Sequence, residues 1–171
     1  MPPDGNSPSW TIRSFRPTDA RACAALYKSG LLHGKIPASD TGIDLDDIEH
    51  VYMKSPGNHF WVAESSAGEV IGMVGVQHHD EGVGEIRRLR VAERHQRQGI
   101  GSALVERALA FCQERQYLKI TLDTFMDREP AIKLFQKFHF RHYSTRNVGG
   151  KDLLYFYLDL YSGNEPPREK A

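Results

Sequence analysis

The residues of this chain with the clearest chemical meaning stand close together. The run Leu89-Arg90-Val91-Ala92-Glu93-Arg94-His95-Gln96-Arg97-Gln98-Gly99-Ile100-Gly101-Ser102 reads as a strand, a polar loop, two glycines and the start of an amphipathic helix. The first N–H groups of a helix have no partner within it and carry the positive end of its dipole. Gly99 and Gly101 lack Cβ atoms, so a bulky anion can approach the backbone there. Arg94 and Arg97 add positive charge beside it. This arrangement suits the holding of a phosphate or pyrophosphate.

Two familiar phosphate loops do not fit. A Walker A loop needs Lys-Ser/Thr after its second glycine, whereas Ser102-Ala103 follows Gly101. A dinucleotide fingerprint needs a third glycine where Leu104 stands, and its first glycine should follow the strand at once. Spacing alone leaves two readings open, a phosphate cradle of another kind or a turn that merely caps a helix.

The elements that must position this turn lie on both sides of it. Trp10–Phe15 alternates as a strand, and Pro17, Thr18 and Asp19 open a helix to about Ser29 whose inner stripe includes Ala22, Leu26 and Leu31. A polar loop over Gly30–Thr41 leads to a second short helix marked by Leu45, Ile48, Val51 and Tyr52. Phe60–Glu64 and Val70–Gln77 read as two strands, and Glu85–Val91 as a fourth after a loop at His78–Gly84. From Gly101 the apolar positions Leu104, Val105, Ala108, Leu109 and Cys112 recur with a helical period. Leu118–Asp123 is a strand, Pro130 starts a helix with Ala131, Leu134, Phe135 and Phe138, and Phe140–Ser144 with Leu153–Leu160 closes as a hairpin. The order β-α-α-β-β-β-α-β-α-β-β predicts an α/β or α+β sheet with helices on both faces.

Composition bounds the partners. Lys+Arg and Asp+Glu are both 22, so no global charge draws the chain to nucleic acid or an anionic membrane. No apolar run reaches membrane-spanning length, and residues 1–8 lack the features of a signal peptide. Cys23 and Cys112 have neither metal-type nor redox-type spacing, which predicts buried, reduced thiols and no metal. Together these predict a cytoplasmic protein with one domain over residues 9–161, between disordered tails at 1–8 and 162–171.

Gln96-x-x-Gly99-x-Gly101 resembles the (Arg/Gln)-x-x-Gly-x-(Gly/Ala) motif of the GNAT superfamily of N-acetyltransferases. The likeness continues in Glu85–Val91, in Pro130–Phe140, which is similar to the family's late A-x-x-L-Y-x-x-x-G-F helix, and in Arg13 with Asp19 near the start. It covers about Trp10–Leu160. It implies a GNAT fold with a central mixed, mostly antiparallel twisted sheet. It implies acetyl-CoA as cosubstrate and direct transfer of the acetyl group to a primary amine through a tetrahedral intermediate. The backbone of Arg97, Gln98, Gly99, Ile100, Gly101 and Ser102, headed by Gln96, would hold the CoA pyrophosphate. The edge at Leu89, Arg90 and Val91 would pair with the pantetheine arm, and the Leu89 N–H would face the acetyl oxygen.

Attack on a thioester needs a neutral amine, so a base must take a proton. Glu85, eleven residues before Gln96, resembles the general-base glutamate of the histone-acetyltransferase branch. Strand alternation puts Glu85, Arg87 and Leu89 on one face; a surface glutamate paired with Arg87 or Arg88 is the plainer reading. His78, His79 and Asp80 are weaker candidates. The family's late-helix tyrosine, which protonates the leaving thiolate, is Phe135 here, and Tyr143 is the nearest substitute acid. His139 replaces the glycine that ends that helix, and Arg128 replaces a common asparagine, within reach of a CoA phosphate. The acceptor is a small-molecule, peptide or protein amine, walled by Leu31–Asp47 and Ser144–Lys151. Asp40, Asp44, Asp46 and Asp47 suit a cationic amine or else cap the second helix. A homodimer stays open, and so does a catalytically weak acyl-CoA-binding regulatory module, which Phe135 motivates.

Overall fold

Alternating apolar residues produce seven strands: β1 (Trp10–Ser14), β2 (His59–Ser65), β3 (Val70–Asp80), β4 (Val83–Val91), β5 (Lys119–Phe125), β6 (Arg141–Val148) and β7 (Lys151–Asp159). The computed structural model describes residues 9–29 and 40–160. The tails expected at 1–8 and 162–171, and the loop residues 30–39 with Leu31, lie outside them. The strands form one sheet in the order β1-β2-β3-β4-β5-β7-β6. Every pairing is antiparallel except β4 with β5. This is the mixed, mostly antiparallel sheet that the resemblance implies.

Both faces of the sheet are covered because β2 and β3 are apolar on both. Phe60, Val62 and Met73 pack with Cys23, Leu26 and Tyr27 of α1 (Ala20–Ser29). Trp61, Ala63, Val74 and Val76 turn the other way, toward Leu104, Val105 and Phe111 of α2 (Ile100–Glu114) and Phe135 of α3 (Glu129–Lys137). Cys23 and Tyr27, rather than Ala22, complete the inner stripe of α1. Arg13 and Asp19 form a bidentate ion pair of 2.8 and 3.0 Å that fixes β1 to the start of α1. His139 ends α3 in the left-handed conformation at φ 68°, as a histidine at that position allows. Among the described residues no helix is long and apolar enough to cross a membrane.

The second helix differs from its expectation. It is a 3-10 turn at Ile43–Asp47 followed by a π turn at Glu49–Met53. A tight turn followed by a wide one preserves the inward spacing of Asp44, Leu45, Ile48 and Tyr52, so the sequence pattern is helical although the hydrogen bonding is not α. The segment expected as a loop at His78–Gly84 is mostly ladder, turning only at Glu81 and Gly82. Backbone pairing continues there past the last apolar side chain.

The sheet has one decisive irregularity. Gly75 pairs with Arg87 and Met73 with Arg90, so Arg88 and Leu89 together oppose Val74. Arg88 takes φ 60°, a left-handed conformation that strains a non-glycine residue. The bulge reverses the alternation beyond it. Leu89 packs with Ile86 on the α2–α3 side, while Arg88 lies over the Tyr27 ring on the α1 side. Glu85 and Arg87 therefore share a face, but Leu89 does not share it with them, contrary to simple alternation.

Arg88 is buried, with 4% of its side chain exposed. It donates to Asp44 Oδ2 at 2.9 Å and to both oxygens of Asp40 at 2.6 and 2.8 Å. Asp44 also accepts the Tyr52 hydroxyl. Burial opposes the Asp44 carboxylate, but Arg88 and Tyr52 outweigh it and hold its pKa below the ordinary 3.8. Asp44→Ala should cost about 3 kcal/mol, because it removes one of the two carboxylates that compensate the buried guanidinium. A group with a depressed folded pKa stabilises above its unfolded pKa and loses that contribution as pH falls through the folded value. Urea unfolding should thus show a constant gap between wild type and Asp44→Ala near neutral pH. The gap should narrow as the pH falls below 3.8.

Candidate active site

β4 and β5 run parallel but pair only over Val83–Glu85 and Lys119–Thr121. Beyond these rungs they separate, and the bulge at Arg88 bends β4 within the gap. Two clefts open there. The larger, about 1040 Å³, runs along Leu89–Arg97 to the start of α2, and the smaller, about 330 Å³, lies between Glu85–Arg90 and Leu122–Phe125. Leu89, Arg90, Arg128 and Ala131 line both clefts and so form the neck between them.

The larger cleft ends on the glycine turn. Gly99 stands at φ 81° and Arg97 at φ 61°. Only glycine takes the first of these without strain. The first intrahelical bond of α2 is Ala103 N–H to Gly99 at 3.1 Å, which leaves the N–H groups of Ile100, Gly101 and Ser102 without helical acceptors. No side chain caps them, and no acid stands in the first turn. Lys137 adds a cation 3.1 Å from the Ser102 hydroxyl. A Cβ on Gly101 would meet Leu134 Cδ2 at 3.3 Å, so the glycine also lets α3 close against α2. These features fit a diphosphate. Leu89, Arg90, Val91, Gln96, Arg97, Gly99, Ile100, Gly101, Ser102 and Arg128 line this cleft; Gln98 does not, and Phe135 lines the smaller one instead.

The exposed edge of β4 faces the gap. Ala92 N–H bonds back to Ile71 at 2.8 Å, which sets the alternation of the preceding residues. Arg90 Nη1 reaches the Leu89 carbonyl at 2.9 Å, and Gln96 Nε2 lies 3.4 Å from the Val91 carbonyl. Both carbonyls therefore lie on the open side.

The smaller cleft concentrates charge. Glu85 is 24% exposed, with His79 Nδ1 at 3.1 Å and Arg87 Nε at 3.6 Å. His79 is the extra residue of a second bulge, opposite Val83 and Gly84, which aims its ring at Glu85. Arg87 also donates to Gln77 at 2.9 Å. Arg146, inside the expected wall Ser144–Lys151, and Tyr155, outside it, come from the last hairpin. Asp123 was not singled out from the sequence. Its place on the same β5 face as Lys119 and Thr121, toward Glu85, was the available signal. Although Asp123 is exposed on its strand, partial desolvation in the cleft, and then the nearby Glu85, push its carboxyl above the ordinary range.

Asp40 and Asp44 are bound to Arg88 and anchor β4, Asp47 accepts the His50 N–H at 3.1 Å as a cap of the second turn, and Asp46 is exposed and lines neither cleft. Tyr143 is the extra residue of a bulge in β6, 55% exposed, stacked on Tyr155 and Tyr157, and outside the lining of either cleft. Phe135 is buried against Phe140 and Phe156, with ring separations of 5.9 and 6.3 Å, and offers no proton. Burial pushes the Cys23 and Cys112 thiols up to about 12, so neither serves as a nucleophile near neutral pH.

Comparisons with known proteins agree with this geometry. The Acetyltransferase (GNAT) family profile matches residues 32–140. The human N-acetylaspartate synthetase is 33% identical over 143 residues, covering 72% of this chain and 47% of that protein. The Xenopus tropicalis N-acetylaspartate synthetase is 38% identical over 100 residues, 58% of this chain and 36% of that protein. The chain thus spans between a third and a half of these curated relatives. A Salmonella typhimurium acetyltransferase, solved with its cofactor acetyl-CoA, superposes with a TM-score of 0.74 at 20% identity, covering 94% of this chain and 99% of that one.

Ser102→Glu separates an anion cradle from a mere helix cap. A carboxylate in the first turn favours the helix dipole by about 0.3–1 kcal/mol, yet it repels a bound phosphate. The variant should melt no lower than wild type and bind CoA at least about tenfold more weakly by calorimetry.

Proposed function

Because the chain belongs to the GNAT family of acetyltransferases, we propose that it transfers the acetyl group of acetyl-CoA directly to the amine of a small, carboxylate-bearing acceptor. The observation that carries this reading is the neck, where Leu89, Arg90, Arg128 and Ala131 border both clefts. Acetyl-CoA supplies an acetyl group activated as a thioester.

The start of α2 binds the pyrophosphate through the N–H groups of Ile100, Gly101 and Ser102, with Arg97 beside them. The edge of β4 orients the pantetheine arm as an added strand. The Leu89 N–H donates to the oxygen on which negative charge develops; such a donor is typically worth about 3–4 kcal/mol. Glu85 takes the proton of the amine, and His79 at 3.1 Å links it to solvent. With both cysteines buried and protonated, no thiol offers a covalent relay, which favours direct transfer.

The acceptor class rests on size and charge. A cleft of about 330 Å³ suits a small molecule. Arg87 and Arg146 on its walls suit a carboxylate, and Glu85 with Asp123 suits an ammonium group. The relatives named for N-acetylaspartate synthesis point to the same kind of acceptor.

Thiol release from acetyl-CoA over a panel of amines tests this reading. Acidic amino acids should be acetylated faster than polyamines of similar size. With the best acceptor, Glu85→Gln should lower kcat by about 10²–10⁴-fold at pH 7. It should recover in part at high pH, where the amine is already neutral, and should leave CoA affinity unchanged. Polyamines as the faster acceptors would overturn the acceptor class. CoA binding without transfer to any amine would make the chain an acyl-CoA-binding regulatory module instead.

A further inference from the structure

Among the described residues, Arg90 is a cation without a matching anion. Its Nε is buried and has no hydrogen-bond partner among them, and its Nη1 donates to the neutral Leu89 carbonyl, at 2.9 Å. The neighbouring carboxylates Asp40 and Asp44 are held by Arg88. Arg88 of β4, Arg128 ahead of α3, Asp40 and Tyr27 of α1 are the charged and titratable groups around it, and the cations outweigh the acids. Burial first, and then Arg128 and Arg88, pull its pKa down to about 10, so it stays charged at neutral pH. A half-buried charge with no carboxylate set against it costs stability, so an arginine in this state suits an anion that arrives from outside.

The place of Arg90 indicates which anion. It borders both clefts, at the neck where a ligand in the larger cleft meets an acceptor in the smaller. The bond exchanged between them must lie there. We propose that Arg90 stabilises the negative charge left on the CoA sulfur, and that this charge pairing replaces protonation by a tyrosine, which Phe135 cannot supply. The inference rests on the acetyl transfer proposed above. In that step the amine nitrogen forms the C–N bond and Glu85 takes its proton. The C–S bond breaks with its electron pair on sulfur, Arg90 meets that charge, and solvent then protonates the sulfur. A guanidinium acts here by its charge and gives up no proton.

The test reads the thiol and not the turnover. CoA carrying carbon-13 at the carbon bonded to sulfur is titrated by NMR, free and bound to the full chain, without acceptor. Bound to wild type, the thiol pKa should fall below that of free CoA by about one unit or more. Arg90→Met and Arg90→Gln should bind CoA, melt no lower than wild type because a buried cation is gone, and return the thiol to its free value. Arg90→Lys should keep part of the depression. A thiol pKa in Arg90→Met with CoA bound that stays at the depressed wild-type value would overturn the role. So would unfolding of both neutral variants, since the cation would then be structural. Failure of wild type to bind CoA in parallel calorimetry would instead overturn the proposed function.

Discussion

The pairing of Arg88 with Asp44 and Asp40 holds a strained residue on which the site depends. A left-handed arginine is unfavourable by about 1–2 kcal/mol, and a buried guanidinium without partners by several more. Two carboxylates from the segment after α1, one of them also hydrogen-bonded to Tyr52, offset both terms. The bulge that they secure has three consequences. It bends β4 beside the gap to β5, it moves Leu89 to the α2–α3 face, and it leaves Arg90 between the two clefts. The segment after α1 thus fixes the geometry of the strand on which the proposed reaction rests.

Charge is distributed with the same economy. The chain is neutral overall, yet Arg87, Arg88, Arg90, Arg128 and Arg146 all border the smaller cleft. Arg88 is neutralised by its own acids, while Arg90 has none among the described residues. The start of α2 adds partial positive charge at the far end of the larger cleft. A polyanionic ligand would therefore meet positive potential at its phosphates and at its reacting end. Glu85 and Asp123 supply the negative counterpart on the acceptor side.

Local features were legible in the sequence. The glycine turn could be read because helix start, glycine conformation and cationic loop all lie within fourteen consecutive residues. The helical stripes and the seven strands could be read because burial imposes a period. The bulge at Arg88 was not legible, since nothing in Arg87-Arg88-Leu89-Arg90 distinguishes a left-handed residue from an extended one. Its cause lies more than forty residues away, at Asp44. The same distance hid the true role of the acidic loop. A further bulge, in β6, turns Tyr143 out of both clefts, and Asp123 was passed over because its importance depends on β5 lying beside Glu85, a pairing that crosses α2.

The central claim is that two clefts, opened by one bulge, meet where the acetyl group changes hands. A crystal structure with a bisubstrate analogue tests it most directly, with the sulfur of CoA joined through a two-carbon bridge to the nitrogen of aspartate. The account predicts the diphosphate on residues 99–102, the bridge at Leu89 and Arg90, and the aspartate carboxylates toward Arg87 and Arg146. The joined nitrogen should lie within reach of Glu85. An analogue bound with its aspartate half outside the smaller cleft, or with its nitrogen away from Glu85, would contradict it.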